Sequence, residues 1–161
     1  MRKHIFPSCL NPKALAKRKK EQAKLHARLQ VYSDGGARGN PGPAAIAFLI
    51  LAENGQVLKS GSRYLGKSTN NQAEYEALIT ALETAATLGT EEVTCHVDSE
   101  IVAKHLKGEY RVKNPELQKL WTKVQELKHC FKQVSFVHVP RTNGYIQEAD
   151  KLVNKTLDEA E

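Results

Sequence analysis

Cysteine is scarce in this chain: three in 161 residues, at Cys9, Cys95 and Cys130. An odd count without metal-ligand spacing gives neither a disulfide framework nor a zinc site. A reducing, cytoplasmic compartment is the expectation. Long hydrophobic runs are also missing. No stretch reaches the roughly 18 apolar residues of a membrane span, so no membrane partner is expected. Residues 1–10 lack the apolar segment and cleavage pattern of a secretory signal. With hydrophobic residues at 40% and charged residues at 26%, the composition is that of a globular domain and excludes wholesale disorder.

The net charge of +6 is unevenly placed. Residues 1–30 hold nine Lys/Arg against the single acid Glu21, while the other 131 residues hold 15 bases and 17 acids. The basic excess therefore belongs to a tail, and such a block reads as an interaction arm. We divide the chain into a basic N-terminal extension over 1–27 and a globular domain over 28–161. Good helix formers from Pro12 to Leu29 predict a short basic helix.

From residue 30 the texture changes. Gln30 to Asp34 predicts a strand, followed by the Gly-rich turn Gly35-Gly-Ala-Arg-Gly-Asn-Pro-Gly-Pro43. The continuous apolar run Ala44 to Ala52 predicts a buried strand. Asn54-Gly55 marks a hairpin, with Gln56 to Leu65 as the partner strand. Helical spacing of Ala73, Ala77, Leu78, Ala81, Leu82, Ala85 and Leu88 follows, with N-cap candidates at Thr69-Asn70-Asn71. Then come a strand over Val93–Val97, helices over Ser99–Leu106 and Pro115–His129, a strand over Val134–Val139 and a helix over Gln147–Ala160. This is an α/β chain. Its mixed five-stranded sheet has three antiparallel strands and two parallel ones joined by right-handed crossovers, with helices alongside.

Four acids sit at element ends. Asp34 and Asp98 close strands, and Glu74 and Asp150 are placed in first helical turns, where the helix dipole favours acids. Parallel pairing of the first and fourth strands sets Asp34 beside Asp98. Two adjacent carboxylates repel, and a divalent cation relieves that repulsion. Oxygen ligands favour Mg²⁺ or Mn²⁺ over zinc. The plain alternative for these acids is caps and surface charges. For Asn40, Asn70 and Gln72 it is turn and cap chemistry, which asparagine serves well. Trp121 is expected to be a core residue, and His138 a packed or solvated one.

Four segments in order, Tyr-Ser-Asp34-Gly-Gly-Ala-Arg-Gly-Asn-Pro-Gly-Pro, Thr69-Asn-Asn-Gln-Ala-Glu74-Tyr-Glu-Ala-Leu, Val97-Asp98-Ser99 and Glu148-Ala-Asp150-Lys-Leu-Val-Asn154, resemble ribonuclease H type 1 over about residues 30–158. The resemblance implies a ribonuclease H-like fold. It also implies an endonuclease that hydrolyses the RNA strand of RNA/DNA hybrids with two Mg²⁺ or Mn²⁺ ions, leaving 5′-phosphate and 3′-hydroxyl ends. It assigns Asp34, Glu74, Asp98 and Asp150 as catalytic metal ligands, and Gly35, Asn40, Asn70, Gln72 and Ser99 as substrate-binding residues.

The chain lacks the His-rich loop and the basic protrusion of the familiar bacterial pattern, and so looks closer to the archaeal-like subgroup. There an Arg follows the Pro, which makes Arg141 the candidate for assistance at the phosphate, with Asn143 as its alternative. A monomer is expected, with double-stranded RNA as a further candidate partner. Competing classes are a non-catalytic hybrid- or dsRNA-binding module and a DNA nuclease of the same fold.

Overall fold

The structure is a computed structural model and describes residues 25–161. Its elements are β1 (Arg28–Ala37), β2 (Gly42–Leu51), β3 (Val57–Ser68), α1 (Asn70–Ala85), β4 (Glu92–Val97), α2 (Glu100–Leu106), α3 (Pro115–Leu127), a single 3-10 turn (Lys128–Cys130), β5 (Gln133–His138) and α4 (Gly144–Ala160). They form the expected five-stranded mixed sheet, in the order β3-β2-β1-β4-β5. β1–β2 and β2–β3 pair antiparallel, whereas β1–β4 and β4–β5 pair parallel.

The apolar run of β2 is continuous because both faces of this strand are covered. Ala44, Ile46, Phe48 and Ile50 join the large core under α1 and α3. Ala45 and Ala47 face Ala149, Val153 and Leu157 of α4 in a second core. Small residues on that side let α4 lie close to the sheet. Leu78, Leu82, Val124 and Leu127 are among the fully covered residues of the larger core, each contributing about 1.5–3 kcal/mol of burial. No helix among the described residues is long and apolar enough to cross a membrane.

Several expectations shift. The basic helix does not extend to Leu29, because Arg28 already opens β1. His26 N–H donates to the Leu88 carbonyl at 2.9 Å, and Glu92 N–H donates to the Ala27 carbonyl at 3.0 Å. Gly89 allows this passage, since a Cβ there would stand 2.2 Å from the His26 carbonyl oxygen. The rest of the basic extension lies outside the described residues. β1 also runs on through Gly35-Gly36-Ala37, still pairing with Ala44–Ile46, so the turn proper is shorter than the Gly-rich text suggests.

α4 starts three residues earlier than expected. The Asn143 side chain caps it by accepting from the backbone N–H groups of Tyr145 and Ile146. With α1 capped by Thr69 and α4 by Asn143, neither Glu74 nor Asp150 lies in a first turn, and the helix dipole, confined to that turn, does not explain them. Cys95 is a free, buried thiol, as a strand cysteine should be.

Candidate active site

Parallel registry of β1 and β4 pairs Tyr32 with His96. Two residues further along, on the same face, Asp34 and Asp98 leave the sheet side by side. Glu74 joins them from α1, because β1 passes that helix with nothing between. A Cβ on Gly35 would meet the Ala73 carbonyl oxygen at 2.3 Å and the Glu74 nitrogen at 2.8 Å. Gly35 is thus required for close approach of strand and helix, and its backbone favours the charged form of the Glu74 carboxyl group. α1 is fixed at its start by a capping box between Thr69 and Gln72.

Asp34, Glu74 and Asp98 each offer an oxygen within 4.8 Å of the others. All three side chains are nearly covered: Asp34 is 6% and Glu74 8% exposed, and the Asp98 side chain is 8% exposed. Glu74 Oε1 and Asp98 Oδ1 are buried without a hydrogen-bond partner among the described residues. Burial, with Asp98 and Asp150 close by, pushes the Asp34 carboxyl group up to about 8, opposed only by the charge of Arg141. Burial, and then Asp34 and Asp98, push Glu74 well above the usual carboxylate range. Such a cluster is unfavourable unless protons or a cation neutralise it. An all-oxygen donor set with two orphaned oxygens fits a hard divalent cation of the Mg²⁺ or Mn²⁺ kind.

Asp150, exposed on α4, lines the same cleft and stands close enough to Asp34 for its charge to push that carboxyl group up. Around these acids lies a cleft of about 590 Å³, also lined by Gly35, Gly36, Asn70, Ser99 and Arg141. Arg141 Nε is 3.7 Å from Asp98 Oδ2. Ser99 caps α2 through its hydroxyl, which accepts from Val102 N–H at 3.3 Å. Asn40 Oδ1 accepts from Asn70 N–H at 3.0 Å, and Asn70 Oδ1 accepts from Ala37 N–H at 2.9 Å.

Two of the nominated residues are not on the cleft wall. Asn40 acts through Asn70. Gln72 lines a neighbouring groove with Arg63, Lys67, Lys119 and Lys123, its Oε1 engaged by Thr69 N–H and Ser68 Oγ. Asn143, the alternative to Arg141, is occupied as a helix cap. Trp121 is half-buried and donates through Nε1 to the His105 carbonyl at 3.2 Å. His138 is not idle either, since its Nε2 lies 3.3 Å from the Asp98 carbonyl oxygen.

The reverse transcriptase-like family model matches residues 32–156, a span holding all four acids. The chain belongs to the ribonuclease H family. It is 41% identical over 133 residues to ribonuclease HI of Halobacterium salinarum, covering 83% of this chain and 66% of that protein. It is 38% identical over 135 residues to the bifunctional protein Rv2228c of Mycobacterium tuberculosis, of which it spans only 36%. The crystal structure of the Halobacterium RNase H1 superposes with a TM-score of 0.78 at 40% identity, over 82% of this chain and 98% of that one. LC11-RNase H1, isolated from compost, has been seen in complex with an RNA/DNA hybrid. It matches with a TM-score of 0.77 at 42% identity, over 82% of this chain and 98% of that one. The sheet described above is the ribonuclease H fold.

Proposed function

We propose that this chain is an endonuclease that hydrolyses the RNA strand of RNA/DNA hybrids with Mg²⁺ or Mn²⁺. The observation that carries the reading is the trio Asp34, Glu74 and Asp98, with two orphaned oxygens at the wall of an open cleft. Those three carboxylates, with Asp150, would hold the cations. When bound, a pair of such ions supplies a water of lowered pKa and neutralises charge on the leaving 3′ oxygen, so that products carry 5′-phosphate and 3′-hydroxyl ends.

The chain's own groups do the rest. Gly35 and Gly36 give the cleft a wall without bulk, where a sugar-phosphate can approach backbone. The amide of Asn70 is held on that wall by Asn40 and Ala37. Ser99 offers a hydroxyl at the start of α2. Arg141, exposed at the rim, can leave Asp98 for a phosphate oxygen, a charge-assisted contact it suits. The basic extension supplies added, salt-sensitive attraction to the polyanion.

Cleavage of a labelled RNA/DNA hybrid in Mg²⁺, Mn²⁺ or EDTA, beside dsRNA, dsDNA and single-stranded RNA, tests the reading. Metal-dependent cutting of the hybrid's RNA strand supports it. Hybrid binding without cutting in either metal would replace it with the non-catalytic module.

A further inference from the structure

Three of the four acids are oriented by burial, whereas Asp150 sits on the exposed side of α4 and needs another means of orientation. One turn further along the same helix, Asn154 Nδ2 donates to the Asp150 backbone carbonyl at 3.0 Å and to its Oδ2 at 3.4 Å. An asparagine amide can turn over, exchanging donor for acceptor. Here it cannot, because Arg38 Nη2 lies 3.3 Å from Asn154 Oδ1 and 3.3 Å from its backbone carbonyl oxygen. A guanidinium only donates, so the oxygen must face Arg38 and the NH₂ must face Asp150.

Arg38 is itself held in a fork, 2.7 Å from Asp158 Oδ1 and 2.7 Å from Glu161 Oε2. Its charge is matched by two carboxylates, so it is not offered to nucleic acid. It projects from the turn between β1 and β2, the same turn whose Asn40 binds the start of α1. One short segment therefore braces the helix carrying Glu74 and the helix carrying Asp150.

We propose that Arg38 and Asn154 form a positioning relay that orients the Asp150 carboxylate for metal binding. The relay rests on the reading of Asp150 as a ligand. Groups that orient metal ligands in this way change affinity or activity by about 10–100-fold when removed. Arg38 acts only through Asn154, and neither residue touches substrate.

The test is direct Mn²⁺ binding to the full chain by electron paramagnetic resonance, together with hybrid-cleavage kinetics. Asp150→Asn serves as the control. Asn154→Leu should weaken Mn²⁺ binding about tenfold and lower kcat with KM for the hybrid unchanged. Asn154 is exposed, so the thermal midpoint in EDTA should move little. Asn154→Asp, which keeps an acceptor for Arg38 but loses the donor, should weaken binding as well. Arg38→Ala should weaken it alone, yet add nothing in the Asn154→Leu background. Unchanged Mn²⁺ binding in Asn154→Leu, with Asp150→Asn impaired, overturns the relay. Equal effects of Arg38→Ala in both backgrounds overturn the part assigned to Arg38. Unimpaired binding in Asp150→Asn removes Asp150 from the site, and the relay with it.

Discussion

Arg141 Nε lies 3.7 Å from Asp98 Oδ2, although the arginine side chain is 91% exposed and the aspartate side chain only 8%. One partner is free to swing into solvent while the other is fixed in the wall of the cleft. Exposed pairs of this kind contribute little to stability, so the contact matters for what Arg141 can reach next. Arg141→Ala should leave the thermal midpoint nearly unchanged. Single-turnover cleavage of the hybrid should fall about 10–100-fold, the loss of one charge-assisted contact. Recovery of most of the rate in Arg141→Lys would show that charge alone suffices.

Asp98→Asn separates chemistry from folding. It removes a ligand but puts an amide donor near the orphaned Glu74 carboxyl group, to which Asp98 is a close, repelling neighbour. Cleavage should drop by about three orders of magnitude or more, with hybrid binding retained. In EDTA the variant should be more stable than the parent by about 1 kcal/mol. Denaturant midpoints and gel-based cleavage read the two effects side by side. Full activity in the variant would take Asp98 out of the metal site.

The metal-free protein should lose stability as pH rises. In the folded state burial holds Asp34 at about 8, against about 3.9 in an unfolded chain. The folded state thus binds the extra proton, and its advantage is complete below about pH 4. It declines through the interval up to pH 8 and is flat above it. Glu74, shifted in the same direction, adds to the slope. A divalent cation reverses the trend, since its binding expels those protons. Thermal midpoints from pH 5 to 9, in EDTA and in Mn²⁺, should diverge steadily, and parallel curves would contradict the assignment.

Gly35→Ala should damage fold and site together. The new methyl group would meet the Ala73 carbonyl oxygen at 2.3 Å, so β1 and α1 must separate. Overpacking of this kind costs about 1–3 kcal/mol, and Glu74 moves away from Asp34. A lowered urea midpoint with weakened Mn²⁺ binding is expected, and an unaffected midpoint would show that the helix yields freely.

Removal of residues 1–24 should leave the domain folded, because the strands and helices that build the sheet and its two cores lie within residues 28–160. Hybrid affinity should fall and its salt dependence should flatten by about 0.7–0.9 per lost phosphate contact. Affinities measured between 50 and 300 mM salt decide the matter, and identical slopes would free the extension of that role.

The sheet and the acid trio were legible in the sequence because each leaves a local mark. The run Ala44–Ala52 reads as a strand covered on both faces, and Asp34 and Asp98 stand two residues beyond Tyr32 and His96 on strands whose parallel pairing follows from the crossovers. Arg38 and Asn154 left no such mark. An arginine in a glycine-rich turn and an asparagine on the polar side of a helix look like solvated residues, and their contact joins positions 116 apart. The start of α4 was missed for a related reason. Gly144 argues locally for a loop, while the Asn143 cap and the packing of Ile146 override it. Placing Glu74 in a first turn failed because the cap is Thr69, the earliest of the three candidates Thr69-Asn70-Asn71, and Asp150 fell outside one because the Asn143 cap starts α4 early.

On the proposed reading, the four ligands come from β1, α1, α4 and the loop after β4, and none of these segments brings two of them. A locally ordered piece of the chain therefore has no divalent site at all. Affinity for the ion would appear only with the complete tertiary structure, and by mass action the ion would return that dependence as stabilisation that grows with the logarithm of its concentration. On the proposed reading, the magnesium level of the surroundings would be a thermodynamic variable of folding as well as of turnover.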